Sequence, residues 1–355
     1  MEQFTSRVGI ASFGTHLPKF RITTSLIAEA HGLESDAMNE LGVIEKCVAG
    51  IEDDTLTISV QASLRAINSI SEDSSLKATD LDAVFVGSET HVYAVKPTSS
   101  LLAGFLGNNN IYHTADLQFA CKAGTAAIQV VFNMIKANSI DAGLAVGADI
   151  AKGAPADALE YTAAAGAAAF ILADAGKFPV IAEIKETISY TTDTADFWRE
   201  EGSLYPVHAG RFSGTSYQRT VAGAIKLLLE KTQLRIEDFD HVVLHMPNGK
   251  LPKVVASKLG ISEQQLSAGF IVPVIGNTYA ACSMIGLAAV LEKAKPNQKI
   301  LLCSYGSGSG SDAFYIETTP EIANYKSINK LSAQIENKKN ISYTEYKLIE
   351  AKKYD

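Results

Sequence analysis

Cysteine is scarce in this chain: Cys47, Cys121, Cys282 and Cys303 are the only four among 355 residues, and none forms a CxxC pair. That spacing argues against a cysteine zinc site, and so few thiols in so long a chain point to a reducing compartment. Basic residues are also outnumbered. There are 31 Lys and Arg against 39 Asp and Glu, a formal net charge of -8. This argues against a general nucleic-acid or anionic-membrane surface, while leaving room for a local basic pocket for a phosphorylated ligand. No apolar run reaches the roughly 20 residues needed to cross a bilayer. The longest runs are rich in Ala and Gly and are broken by Asp, Glu or Lys. The start, MEQFTSRVGIASFG, has no basic stretch followed by an apolar one, so no cleaved leader is expected. With 47% hydrophobic and 20% charged residues the chain reads as a folded globular protein rather than a disordered one, and as cytoplasmic.

What is present alternates. Short apolar, partly β-branched runs at 8–12, 83–87, 142–147, 168–172, 242–245, 300–305 and 313–317 predict strands. Helical patterns at 57–70, 124–137, 220–231 and 285–294 lie between them, so the fold class is α/β with sheets buried between helices. An internal repeat is visible. LKATDLDAVFVGSE (76–89) parallels LRIEDFDHVVLHMP (234–247), and both carry Asp-hydrophobic-Asp ahead of a buried strand. GTAAIQVV parallels GLAAVLEK, and DAGLAVGAD parallels QKILLCSYG. These pairs predict a duplicated fold: a first half at 1–177, an insertion or connector at 178–215, a second half at 216–318 and a polar, Lys-rich surface arm at 319–355.

Cys121 stands in TADLQFACKAGTAAIQVV, where a strand-like approach gives way to a small-residue helix. A helix N-terminus at that turn can lower a thiol pKa and favour the thiolate. The ordinary alternative is a buried, inert thiol. Cys47, Cys282 and Cys303 read as packing residues. Glu89 follows the strand VFVGS at its carboxyl end, the place where α/β folds put ligands. There it serves either as a proton acceptor or as a solvated loop residue. His245 ends the matching strand of the second half, either as a site imidazole or as a core histidine. Duplication favours the first reading for both, because symmetric halves bring the two strand ends to one cleft. Asn277 sits in a Gly-Asn turn that opens onto the second small-residue helix, either as a site residue or as an ordinary turn-forming Asn. The Gly/Ser run SYGSGSGSD is either a flexible linker or, since it sits directly between two buried strands, a loop whose backbone approaches a ligand closely and offers N–H groups to an oxyanion.

Taken in order, GTHLPKFRI, GSETHVYAVKPT, DLQFACKAGTAA, DALEYTAAAGAAAF, SYTTDTADFWREEG, HAGRFSG, HMPNGKLP, VPVIGNTY and SYGSGSGSDAF span nearly the whole chain. This set resembles the thiolase superfamily and, within it, the archaeal HMG-CoA synthases. The resemblance implies a thiolase-like duplicated α/β/α/β/α layered fold. It implies that Cys121 carries an acetyl thioester, Glu89 is the general acid/base and His245 binds the acceptor carbonyl. It also implies that Asn277 and Ser307 hold acyl groups and Lys250 binds coenzyme A. Thr162, Ser213 and, less strongly, Asp36 and Ala37 are further ligand positions by the same resemblance. Two positions depart from the family pattern. Met246 replaces a Gln after the histidine, and Val254 stands where a basic residue is expected, with Lys253 beside it. The resemblance further implies acetyl-CoA and acetoacetyl-CoA as substrates and no resident cofactor or metal. It implies a homodimer or higher homo-oligomer, and a complex with acetoacetyl-CoA thiolase joined by a zinc-ribbon/OB-fold protein. Two other readings stay open: a ketoacyl synthase III-like enzyme, which needs no carboxylate base, and a non-catalytic acyl-CoA-binding subunit.

Overall fold

The computed structural model describes residues 6–72, 74–107, 110 and 112–352. Thus the outermost residues of the first and last expected regions lie outside the described residues. The first half runs β1 (Val8–His16), β2 (Phe20–Thr23), α1 (Thr24–Ala30), β3 (Glu45–Val48), α2 (Thr55–Asn68), β4 (Ala83–Gly87), α3 (Thr98–Leu106), β5 (His113–Leu117), α4 (Ala123–Lys136), β6 (Ala142–Ile150), α5 (Ala158–Thr162) and β7 (Ala165–Asp174). The second runs β8 (Ala182–Thr191), the short pair β9 (Phe197–Trp198) and β10 (Val207–His208), α6 (Arg211–Thr232), β11 (His241–Leu244), α7 (Leu251–Leu259), α8 (Glu263–Ser267), α9 (Val272–Ile275), α10 (Cys282–Leu291), β12 (Lys299–Cys303) and β13 (Gly310–Thr318). The chain ends with α11 (Leu331–Glu336), β14 (Lys339–Asn340) and α12 (Tyr343–Lys352).

Nine strands form one mixed sheet in the order β11-β12-β13-β8-β1-β7-β6-β4-β5. The duplication is explicit in that order. β4-β6-β7-β1 joins by one parallel and then two antiparallel pairings, and β11-β12-β13-β8 repeats the sequence of pairings. Antiparallel contact between β1 and β8 fuses the two sets. The Asp-hydrophobic-Asp repeat does the same work in both halves. Asp80 and Asp238 each accept the backbone N–H three residues back, at 2.8 Å. Asp82 accepts the Asp141 N–H at 3.0 Å, and Asp240 accepts the Lys299 N–H at 2.8 Å, so each pins the neighbouring strand β6 or β12.

Side-chain alternation along the strands sorts the core into layers. Val84, Val86, Leu144 and Val146 face one way, onto α2 and α3. Phe85, Ala145, Phe170 and Leu172 face the other way, onto α4 and α10. From the second half, Val243, Ile300, Leu302 and Phe314 join that same central cluster. Their neighbours Val242, Leu244 and Leu301 turn outward to α6 and α7. The result is α/β/α/β/α, as expected. Helix α10 is apolar all round (CSMIGLAAVL) because it lies between the two sets of strands and every residue in it is buried.

Two expectations are corrected. Within 178–215, Ala182–Thr191 is not part of an insertion: it is a core strand, paired with both β1 and β13. The stretch also ends inside α6, so only residues 192–210 leave the repeated framework. Nor does the described part of the expected surface arm at 319–355 stay wholly on the surface. Leu331, Ile341 and Tyr346 are buried, β14 pairs with β2, and buried Gln334 accepts the Leu17 N–H at 2.9 Å. Polar composition misled here, because this segment is anchored by hydrogen bonds as much as by apolar burial.

Candidate active site

Three strand ends build the site. Glu89 lies just past β4, His245 just past β11, and Cys121 between β5 and α4. The turn before α4 is tight: Ala120 has φ +45°, a left-handed conformation that non-glycine residues rarely adopt. Gly87 permits the convergence. A Cβ there would lie 2.1 Å from the Ala123 carbonyl oxygen, so any side chain would push α4 off the end of β4. Gly124 does the same between halves, since a Cβ would lie 2.4 Å from the Ala280 carbonyl oxygen.

The Cys121 thiol donates to Glu89 Oε1 at 3.4 Å. Cys121 is 5% exposed. Burial, followed by the Glu89 and Asp149 charges, holds its pKa well above the ordinary thiol value. Of the two readings left open for this thiol, desolvation and two carboxylates favour the protonated form over the thiolate that a helix N-terminus can support. Glu89 is shifted too. Burial and then the Asp149 charge push its carboxyl up to about 8, against the opposing pull of the Cys121 hydrogen bond and Arg199. At neutral pH the Glu89 carboxyl therefore still largely keeps its proton, and only its ionised form could take the proton of the thiol.

His245 is fully buried, and neither ring nitrogen has a hydrogen-bond partner among the described residues. Burial lowers its pKa to about 3, so the imidazole is neutral, with one N–H to donate. Its main chain is held firmly, since its N–H donates to the Cys303 carbonyl at 2.8 Å and its carbonyl accepts the Tyr217 hydroxyl at 2.7 Å. An imidazole this desolvated and this unpaired is made for a polar group of a ligand.

Cys121 and His245 share the wall of a cavity of about 490 Å³. Thr162, Ser213, Lys250, Asn277 and Ser307 line it as well. Asn277 spends its carboxamide oxygen on the Tyr279 N–H at 3.0 Å, which leaves its amide N–H₂ for a ligand. Ser213 donates to the Asp196 carbonyl at 2.6 Å, so it braces the wall. Lys250 pairs with Glu40 at 3.2 Å near the surface. Glu89 does not line this cavity; it lines a second one, of about 600 Å³, and Tyr279 borders both. Asp36 and Ala37 are not brought in. Both are exposed in the turn before Asn39, and it is Glu40 and Leu41 of that segment that reach the cavity. The departures from the family pattern also find places. Met246 turns away into an apolar cluster with Val43, Val272 and Cys282. Lys253 lies over the Phe270 ring, 5.1 Å from its centroid, so it does not stand in for a cation at Val254.

Four residues that sequence reasoning did not single out complete the site. Buried Asp149 accepts from Ser88 Oγ, Glu89 N, Thr90 Oγ1 and Ala280 N at 2.7 to 2.9 Å. It thereby sets the Glu89 loop against the second half. Buried Asp196 accepts from Tyr305 Oη and Gly308 N, both at 2.9 Å, and holds the Gly/Ser loop. Arg199 donates to the Glu89 carbonyl at 2.7 Å, and Tyr279 buries its ring beside Cys121 with its hydroxyl unpartnered. Asp149 lies near the end of β6 in a segment that repeats in the second half, but one acid near a strand end has no periodic signal. Cys47, Cys282 and Cys303 are buried, and burial pushes each thiol upward, as befits packing residues.

The chain is similar to known proteins over nearly its whole length. Residues 229–318 match the family model for the C-terminal part of 3-oxoacyl-[acyl-carrier-protein] synthase III. A hydroxymethylglutaryl-CoA synthase from Archaeoglobus fulgidus is 48% identical over 96% of this chain and 97% of its own length. One from Methanocaldococcus jannaschii is 46% identical over 95% and 97%. Among solved structures, an HMG-CoA synthase complexed with CoA superposes with TM-score 0.86 at 22% identity, over 97% of this chain and 90% of that one. MvaS in complex with 3-hydroxy-3-methylglutaryl coenzyme A gives 0.87 at 24% identity, over 97% and 92%. These two structural likenesses establish the fold, and the sequence relatives establish more: the chain belongs to the hydroxymethylglutaryl-CoA synthases, acyl-transferring enzymes of the thiolase-like fold.

Proposed function

We propose that this synthase works through an acetyl-S-Cys121 intermediate, with Glu89 as its acid/base and His245 as the donor to the acceptor carbonyl. The observation that carries the assignment is the 3.4 Å contact of Cys121 with Glu89, beside a cavity whose wall holds the unpartnered His245 ring. Sulfur attacks the acetyl-CoA carbonyl as its proton passes to Glu89, and that proton leaves on the CoA sulfur. Ionised Glu89 then takes a proton from the acetyl methyl group. The carbanion adds to C3 of acetoacetyl-CoA while the His245 N–H holds the developing alkoxide, which takes the proton back from Glu89. Water cleaves the enzyme thioester and restores the thiol. The sum is acetyl-CoA, acetoacetyl-CoA and water giving HMG-CoA and CoA.

The substrates are the two CoA thioesters, and no resident cofactor enters, since the thioester supplies both the acidity and the leaving group. Lys250 at the cavity mouth is suited to the CoA phosphates, and Asn277, Thr162 and Ser307 to the acyl and pantetheine groups. A ketoacyl synthase III-like reaction would leave Glu89 without a task, so its contact with Cys121 disfavours that reading. The assay that separates them offers malonyl-CoA or acetoacetyl-CoA to the acetylated enzyme. Only acetoacetyl-CoA is expected to condense, and decarboxylation of malonyl-CoA would favour the rival. In the same assay His245→Ala should still acetylate Cys121 but condense about 100-fold more slowly, from loss of one oxyanion donor.

β5 ends the sheet with no strand beyond it among the described residues, which supports pairing with a second copy, hence at least a homodimer. A complex with acetoacetyl-CoA thiolase through a zinc-ribbon/OB-fold protein, and work in the cytoplasm within mevalonate synthesis, complete the proposal. No helix among the described residues is long and apolar enough to cross a membrane.

A further inference from the structure

Lys122 follows the nucleophile directly, and none of the steps above uses its side chain. The side chain leaves the first half and donates to both carboxylate oxygens of Asp312 on β13, each at 3.0 Å. Lys122 is 5% exposed and Asp312 fully buried. Ser189 of β8 and Thr125 of α4 donate to the same carboxylate at 2.8 and 3.0 Å. One buried acid therefore gathers the nucleophile turn, the helix that follows it and two strands of the other half.

The stem of Lys122 is fixed as well. Its ammonium lies 4.2 Å from the centroid of the Phe119 ring. A Cβ at Gly306 would meet the Phe119 carbonyl oxygen at 2.4 Å and Lys122 Cγ at 3.1 Å. One at Gly310 would meet Phe119 Cζ at 2.8 Å and Lys122 Cε at 3.1 Å. The Gly/Ser loop thus rests on this side chain, with glycine at both points of contact. Between Phe119 and Lys122 lies the left-handed Ala120, so the backbone that presents Cys121 is held in a conformation it would not adopt unaided. Withdrawing an ion pair from water is a poor way to stabilise a fold, since apolar side chains of like volume do as well or better. What a bidentate buried pair supplies is one defined geometry.

We infer that Lys122 and Asp312 are positioning residues, a clamp between the halves that sets the Cys121 sulfur against the Gly/Ser loop for attack on the thioester. The inference rests on the reading of Cys121 as the acetylated nucleophile. Displacing a reacting atom by about 1 Å costs on the order of 100-fold in rate. Lys122→Met and Asp312→Asn should therefore each slow acetyl transfer to Cys121 by roughly 30- to 100-fold, with the KM for acetyl-CoA within about threefold of wild type.

The test is rapid-quench mass spectrometry of the Cys121 peptide, with thermal unfolding of the same samples. The double variant K122M/D312N leaves no unpaired charge buried. It should regain the melting temperature lost by the single variants and yet acetylate as slowly as they do. Its pH profile should match wild type, because the charges acting on the thiol are those of Glu89 and Asp149. A double variant that regains rate together with stability would reduce the pair to an ordinary element of the fold and overturn the inference. So would a folded single variant that acetylates at the wild-type rate. Wild-type enzyme that takes no acetyl group at Cys121 would instead sink the nucleophile assignment beneath it.

Discussion

Cys121→Ala takes no acetyl group from acetyl-CoA and turns over at least ~10⁴-fold more slowly than wild type. The expectation follows from what the cavity wall contains. Cys121 is the sulfur on that wall, and it has a carboxylate at hydrogen-bond distance. The other three cysteines are buried and none of them lines that cavity, so none can substitute. Intact-mass measurement after incubation with acetyl-CoA checks this directly. An acetyl adduct on the alanine variant would move the nucleophile to another residue.

Glu89→Gln separates the two chemical steps. The amide cannot take a methyl proton, and general-base loss of this kind costs about 10²–10⁴-fold, so condensation should fall by roughly 10²–10⁴-fold. Acetylation should fall less, because the thiol proton can leave by way of solvent. The pH dependence has a fixed sign. The ionised carboxyl is the base, and burial with Asp149 puts its pKa up to about 8, so wild-type condensation rises with pH and levels off above about 8. The residual activity of the glutamine variant should lack that step.

Stability should change in the opposite direction. Between the ordinary value of 4.5 and about 8 the folded protein keeps a proton at Glu89 that the unfolded chain has released. Wild type therefore loses stability as pH rises through that window, and Glu89→Gln does not. The variant should melt higher, by a margin that widens over the same range. Equal melting temperatures at every pH would mean that the carboxyl is not desolvated as the geometry indicates.

The parts of the fold that could be read from the sequence are those with a periodic or repeated signal. Apolar runs marked the buried strands, and the Asp-hydrophobic-Asp repeat marked the duplication because each acid makes the same backbone hydrogen bonds in both halves. Strand β8 was missed because AEIKETISYT carries charges at Glu183, Lys185 and Glu186. Its place comes from backbone pairing to β1 and β13, which composition does not reveal. The C-terminal segment was misjudged for a related reason. Tyr346 and Gln334 anchor it as isolated residues in a polar stretch.

The site divides along the same line. Cys121, Glu89 and His245 stand at strand ends within recognisable motifs. Asp149 and Asp196 act through hydrogen bonds to segments distant in the chain, and only the folded structure shows those partners. The protonation of Cys121 was likewise not legible. A helix N-terminus can be read from the local sequence, whereas the two carboxylates that oppose it arrive from elsewhere.

The most direct measurement is a single-turnover chase. Enzyme charged with acetyl-CoA labelled at the carbonyl carbon is freed of excess reagent and mixed with unlabelled acetoacetyl-CoA. Label should leave Cys121 and appear in HMG-CoA, one equivalent per charged site, in the free carboxyl group rather than in the thioester. Label that leaves only as acetate, or that stays on the protein while HMG-CoA forms, would contradict the account.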